Sequence, residues 1–199
     1  MPKLILVRHA APATDACVAA NQWPLSDAGR QSVRGLAQAL APFWPAVLLS
    51  SREAKAAETA ALLARELGGR YATAPGLQEQ ARTSLGWVSD QEFEAGMAAL
   101  FDRPAEAVFG DESADQAHER FRAAVNGVLD QHPDENVVLV THGTVMALLI
   151  TRAQATQPKV DPLAFWRRLG LPAVAVLSRP DWALEQLIEK VEADGHQVG

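Results

Sequence analysis

Cysteine is nearly missing from this chain of 199 residues. Cys17 stands alone, so no internal disulfide braces the fold, and a reducing compartment, the cytoplasm, is the expected setting. Long apolar runs are missing too: no stretch of about 20 apolar residues occurs, and no signal-peptide core lies near the N-terminus, so neither a membrane span nor a leader is expected. Positive charge is scarce. The 18 Lys and Arg against 24 Asp and Glu leave a formal net charge of −6, and no basic block offers an extended surface to nucleic acid or to an anionic membrane. Any phosphate must be met by a few local cations. Internal repeats, low-complexity tracts and linker-like shifts in composition are absent as well. What remains, 48% hydrophobic and 21% charged residues, is ordinary globular composition at a length that suits one domain with a sizeable core.

Against this background two segments stand out. Lys3-Leu4-Ile5-Leu6-Val7-Arg8-His9 and Asn136-Val137-Val138-Leu139-Val140-Thr141-His142-Gly143 are short apolar, β-branched runs that each arrive at a histidine. That is the pattern of a strand buried on both faces with a polar residue at its carboxyl end. In an open α/β sheet, carboxyl ends of strands are where ligands bind. Arg8 before the first histidine and Gly143 after the second point to a single anion site assembled from distant parts of the chain.

The rest alternates between strand and helix patterns. Residues 10–25 are irregular and contain Pro12 and Pro24; Ser26 then caps a helix with Val33, Leu36, Ala37 and Leu40 at helical spacing, closed by Pro42 and Pro45. Ala46-Val47-Leu48-Leu49 predicts a second strand, and the helix through Ala56, Ala60, Leu63 and Leu67 stops at Gly68-Gly69. Tyr71-Ala72-Thr73 suits a short third strand. From about 75 to 111 the periodicity loosens, although Ser89-Asp90-Gln91-Glu92 is a capping box for a short helix through Phe93, Met97 and Leu100. This segment is expected to pass over the active-site end of the sheet. A second capping box, Ser113-Ala114-Asp115-Gln116, leads a helix whose apolar face includes Phe121, Val125 and Leu129. After His142, Gly143 opens a very apolar helix, and the runs 173–177 and 182–188 read as strands at the antiparallel side of the sheet. The predicted class is α/β in three layers, a mostly parallel central sheet with helices on both faces, as one domain over 1–199.

Four motifs in order resemble those of the histidine phosphatase superfamily, also called phosphoglycerate-mutase-like. They are Leu6-Val7-Arg8-His9-Ala10; Ser50-Ser51 followed by Lys55-Ala56 and Glu58-Thr59-Ala60; Leu77-Gln78-Glu79; and Val140-Thr141-His142-Gly143. The resemblance spans about residues 3 to 180. It implies a metal-independent phosphomonoester hydrolase that works through a phosphohistidine and needs no cofactor. A mutase that returns the phosphoryl group to substrate, and a catalytically weak phosphate-binding relative, are the alternatives. The excursion at 75–111 is modest, whereas the family's mutases tend to carry a longer insertion that excludes water, so hydrolysis is favoured.

The chemistry gives each residue a part. A phosphoryl group needs cationic donors around its oxygens and a nucleophile in line with the leaving oxygen. A neutral imidazole nitrogen can attack phosphorus and form an intermediate that water hydrolyses; the resemblance gives this role to His9. Arg8 offers a permanent charge and a planar fork of donors. His142 is expected to be a second cation, kept protonated by the phosphate. Gly143 lets the backbone approach, and the helix behind it points free amides at the anion. Where the family usually has a second arginine this chain has Lys55, which keeps the charge and loses the fork; Arg52 would share its helical face if the helix begins that early. By resemblance Glu79 is the general acid, holding its proton among apolar and anionic neighbours, with Glu112 and Asp15 as the other candidates.

Other polar groups are given bland roles. His118, His132 and His196 are read as solvated. No metal is expected, because His9, His142, Glu79 and Asp15 lack metal-ligand spacing, and Cys17 has no phosphate loop around it. Trp23, Trp87, Phe93 and Phe101 could line a rim for an organic leaving group, although tryptophans in a small domain are more often core. The expected partner is a small phosphorylated molecule.

Overall fold

The computed structural model describes residues 1–153, 159–193, 195 and 197–198. Strand β1, Leu4–Arg8, lies at the heart of the sheet. On one side it pairs in parallel with β4, Val137–Thr141, in the register Leu4 to Val137 through Arg8 to Thr141. On the other it pairs antiparallel with β5, Ala173–Leu177. Beyond β4 come β2, Val47–Ser50, and the two-residue edge β3, Ala72–Thr73, both parallel; beyond β5 comes β6, Leu184–Ile188, antiparallel to it. The order is β3-β2-β4-β1-β5-β6. A ribbon of β7, Lys190–Val191, and β8, Gln197–Val198, stands apart.

The central strands are apolar throughout because both of their faces are covered. Ile5, Val7, Val138, Val140, Val174 and Val176 pack with α1, Asp27–Leu40, and α2, Ala54–Glu66. Leu4, Leu6, Val137, Leu139, Ala175 and Leu177 pack on the opposite face. That layer holds α3, Asp90–Asp102, α4, Ala114–Gln131, α5, Gly143–Arg152, and α6, Pro162–Arg168. This is the three-layer α/β fold expected from the strand and helix periodicities. Helix starts follow the capping residues: Ser26 Oγ accepts from the Gly29 amide, and both capping boxes, at Ser89 and Ser113, are formed.

Some details differ from the sequence reading. The last strand begins at Leu184, because Trp182 sits in a turn with φ 55°. Helix α3 is 13 residues long, and α6, which periodicity did not show, is started by Asp161 and Pro162. Among the described residues, no helix is long and apolar enough to cross a membrane.

Because β1, β2, β3 and β4 run in parallel, their carboxyl ends share one edge of the sheet. The ladder continues a residue past each strand: the His9 amide donates to Thr141 O (3.0 Å), Ser51 to Val140 O (2.9 Å) and Ala74 to Ser50 O (2.9 Å). His9, Ser51 and His142 are thereby delivered side by side.

Candidate active site

His9 is 6% exposed, and its ring lies edge-on to that of His142 with centroids 5.1 Å apart. Its Nδ1 is 2.8 Å from Ala10 O. A carbonyl only accepts, so Nδ1 carries the hydrogen and Nε2 keeps the lone pair. The Ala10 amide donates to Thr59 Oγ1, whose hydroxyl donates to Lys55 O, so α2 holds this turn in place. Burial, and after it the charges of His142, Lys55 and Arg8, push the His9 pKa well below its ordinary value despite the bond to Ala10. A neutral imidazole with a free Nε2 results.

His142 is fully buried at the N-cap of α5. Its Nε2 lies 2.9 Å from Ser51 Oγ and 3.5 Å from Glu53 Oε1, and its Nδ1 is buried without a partner among the described residues. Burial lowers its pKa to about 3, with Lys55, Arg8 and Arg82 adding to the fall and Glu79 opposing it. The expectation of a protonated His142 is therefore corrected for the free site, where desolvation and three cations outweigh one carboxylate. A bound phosphate dianion would reverse that balance.

Arg8 reaches Leu169 O through Nη1, while its Nε is buried and, among the described residues, unpartnered. Its guanidinium lies against Gly143: a Cβ there would stand 3.0 Å from Arg8 Cζ and Nε. The glycine thus leaves room for the arginine beside the first turn of α5. Lys55, 7% exposed, puts Nζ 2.6 Å from Glu53 Oε2 and 2.7 Å from Ala20 O. Arg52 makes no bond to this cluster among the described residues. Helix α2 begins at Ala54, after Arg52, so the two do not share a helical face; Arg52 is exposed, with no bond or ion pair among the described residues.

Glu79 lies in the segment after β3. Its Oε2 accepts from the Thr144 amide at the start of α5 (3.1 Å) and lies 3.5 Å from Arg82 Nη2; Oε1 accepts from the Gln80 amide (2.9 Å). Burial pushes its pKa up, but Arg82, His142 and those two amides together bring it below its ordinary value. The proton expected on Glu79 depends on an anionic neighbour; in the empty site the groups bonded to its carboxylate are donors, and they favour the charged form.

Two residues of this cluster escaped the sequence reading. Glu53 bridges Lys55, the Glu79 amide (2.8 Å) and the edge of His142. Arg82 is buried beside Glu79. Both sit within three residues of positions already suspected, which was the available signal.

Glu112, a rival for the acid role, is occupied elsewhere. Its two oxygens take Arg120 Nε and Nη2 at 2.8 and 2.7 Å, and Arg120 also donates to Gly76 O, Gln78 O and Glu79 O. This brace carries the segment that presents Glu79. Arg120→Ala strands a largely buried carboxylate and three carbonyls, and is expected to cost about 3 kcal/mol, read as a fall in urea midpoint with loss of activity below it. Asp15 is exposed in the loop after β1 and accepts from the Cys17 amide. Among the described residues, no three His, Cys, Asp or Glu converge as a metal set.

The remaining histidines and aromatics divide. His118 is half-buried rather than solvated, with its pKa lowered by burial and by Arg152; His132 pairs with Glu135 at 2.8 Å; His196 lies outside the described residues. Phe93 packs on Phe109 and Trp166. Trp87 is 60% exposed and tilted over Trp23 at 6.2 Å, so neither belongs to the core.

Two buried neutral histidines make stability depend on pH. The unfolded chain protonates them near pH 6.5 while the folded one does not, so the unfolded state binds more protons and stability falls with pH below about 6.5. Between pH 7 and 5 the loss is about 2 kcal/mol for His142, with the same sign for His9. Urea unfolding at both pH values checks it: His142→Gln should flatten the dependence.

Known proteins share this fold. The family model of the histidine phosphatase superfamily (branch 1) matches residues 4–182. Phosphoglycerate mutase-like protein 4 of Arabidopsis thaliana is 31% identical over 147 residues, 70% of this chain and 64% of that protein, so the chain spans less than two thirds of that relative. Phosphoserine phosphatase of Entamoeba histolytica, solved with 3-phosphoglyceric acid, superposes with a TM-score of 0.75 at 17% identity, covering 94% of this chain and 96% of the other. A mycobacterial glucosyl-3-phosphoglycerate phosphatase with VO3 gives 0.70 at 24% identity, covering 97% and 99%. With the family model matched across nearly the whole length, the chain belongs to the histidine phosphatase superfamily.

Proposed function

We propose that this protein hydrolyses phosphomonoesters of small molecules through a phosphohistidine on His9, without a metal, in the reducing cytoplasm. The observation that carries the proposal is the His9 imidazole itself: Nδ1–H is tied to Ala10 O, the ring is held neutral, and Arg8 and the α5 N-terminus lie alongside. Nε2 attacks phosphorus and the bond to the ester oxygen breaks. The departing alkoxide takes a proton from the Glu79 carboxyl group, which has to acquire it once the phosphate dianion lies beside it. Water then attacks the phosphohistidine, giving its proton to Glu79, and inorganic phosphate leaves. Arg8 and the first amides of α5 hold the charge that builds on the equatorial oxygens.

The test is a brief reaction with a ³²P-labelled monoester and an alkaline quench. An acid-labile, base-stable label on His9, with inorganic phosphate as product, is expected. Label passing to an organic acceptor instead would establish the mutase alternative, and turnover with no labelled protein would overturn the covalent mechanism.

A further inference from the structure

The site has an arginine that the scheme above leaves idle. Arg82 is largely buried, its side chain 15% exposed. A buried guanidinium has five N–H donors to satisfy and loses its hydration shell, so it is normally met by short, charge-assisted bonds. Arg120, in the same half of the molecule, shows that outcome, with Glu112 and backbone carbonyls at 2.7 to 3.1 Å. Arg82 does not. Its nearest polar contacts are Thr144 Oγ1 at 3.3 Å, Met97 Sδ and Gln80 O at 3.4 Å, and Glu79 Oε2 at 3.5 Å. The rest of its surroundings are the ring faces of Phe93 and Phe109, 5.1 and 5.7 Å away. These faces fix the plane of the group without using its donors.

Its position is as telling as its poor satisfaction. Glu79 Oε2 stands between the Thr144 amide and Arg82, and the charge of Arg82 is felt by both Arg8 and His142. The carboxylate therefore occupies an anion's place, on a helix N-terminus and beside a guanidinium. Lys55 is in the opposite condition: its ammonium is already matched by Glu53 at 2.6 Å and by Ala20 O at 2.7 Å. A lysine so paired has little left for a phosphate.

Resting on the phosphomonoesterase reading, we propose that Arg82 is the second guanidinium that grips the phosphoryl group, transferring its donors from Glu79 to phosphate oxygens when substrate arrives. Lys55 then serves to hold Glu53, and through it the Glu79 backbone, while Arg8 and Arg82 clasp the dianion. The transfer also readies the acid. Deprived of Arg82 and placed beside a dianion, the Glu79 carboxylate takes up from solvent the proton that it later gives to the leaving oxygen.

The experiment compares Arg82→Ala and Arg82→Lys with the wild type, using hydrolysis of p-nitrophenyl phosphate, inhibition by vanadate and by inorganic phosphate, and Tm. Arg82→Ala is expected to lose about 10²-fold in kcat/KM, to bind vanadate and phosphate correspondingly more weakly, and to regain turnover with millimolar guanidinium. Arg82→Lys keeps a positive charge beside Glu79 and decides the matter if Arg82→Ala fails to fold: it is expected to lose about tenfold or more in kcat/KM and anion affinity at an unchanged Tm. Wild-type anion affinity in a folded Arg82 variant, or losses confined to Tm, overturns the assignment. A parallel phosphorylation trap separates the two levels. Labelled His9 with indifferent Arg82 variants defeats this inference alone, and a wild type that forms no phosphohistidine defeats the reading beneath it.

Discussion

His9→Ala removes turnover by about 10⁴-fold or more and removes the trapped phosphoryl group altogether, yet leaves a folded protein that still binds inorganic phosphate. The three outcomes separate because the roles at this edge of the sheet are carried by different atoms. The nucleophile is Nε2 of one ring, and among the described residues no other neutral imidazole is placed to replace it: Nε2 of His142 is engaged with Ser51 Oγ. The anion-holding groups, Arg8, Arg82 and the α5 amides, do not depend on that ring for position, since Arg8 is anchored by Leu169 O and sits against Gly143. Folding tolerates the change because His9 contributes a side chain at the end of β1, not one of the apolar residues that pack the sheet. A loss of about 1 to 3 kcal/mol from the vacated space is expected. Steady-state kinetics, the alkaline-quench label and calorimetric phosphate binding read these outcomes separately. An active His9→Ala enzyme would end the phosphohistidine proposal, and an enzyme that lost phosphate binding along with turnover would show the ring to be part of the anion clamp.

The parts of this site that could be read in advance are those that sit on buried strands. Four successive apolar, largely β-branched residues with polar ones at the end read as a strand covered on both faces, and β1 and β4 are such strands. Their parallel register then brings Arg8, His9 and His142 together without any side-chain information. The pairing partners were not legible. Glu53 meets the amide of Glu79 across 26 residues, and Arg82 meets Thr144 across 62; periodicity describes which face an element buries and says nothing about which charge it finds there. Arg52 illustrates the same limit locally. Its expected place on the helical face of Lys55 depended on where α2 begins, and the helix starts two residues after Arg52. The protonation of His142 and Glu79 in the empty site was equally out of reach, because each combines burial with charges and amides contributed by separate segments.

That balance governs what Glu79→Gln should do. In the empty site Glu79 is ionised, held down by Arg82, His142 and two amides against the penalty of burial; in the substrate complex a dianion replaces those favourable partners as the dominant neighbour, and the carboxyl group becomes protonated. Glutamine keeps the size and one acceptor oxygen for the Thr144 amide, so binding and folding change little, but it has no proton to give. For an alkyl phosphate, whose leaving oxygen is strongly basic, the loss of a general acid is expected to cost about 10²- to 10⁴-fold in kcat. For p-nitrophenyl phosphate, whose leaving group departs without protonation, formation of the phosphohistidine should slow by less than about tenfold. Hydrolysis of that intermediate should slow too, since its attacking water has lost its base, and the labelled protein should accumulate in the quench. The comparison of two esters in one variant is thus the measurement: a large ratio of losses, with accumulated label, assigns proton transfer to Glu79. Equal losses on both esters, with no accumulation, would make Glu79 a positioning residue that only orders Arg82 and the first turn of α5.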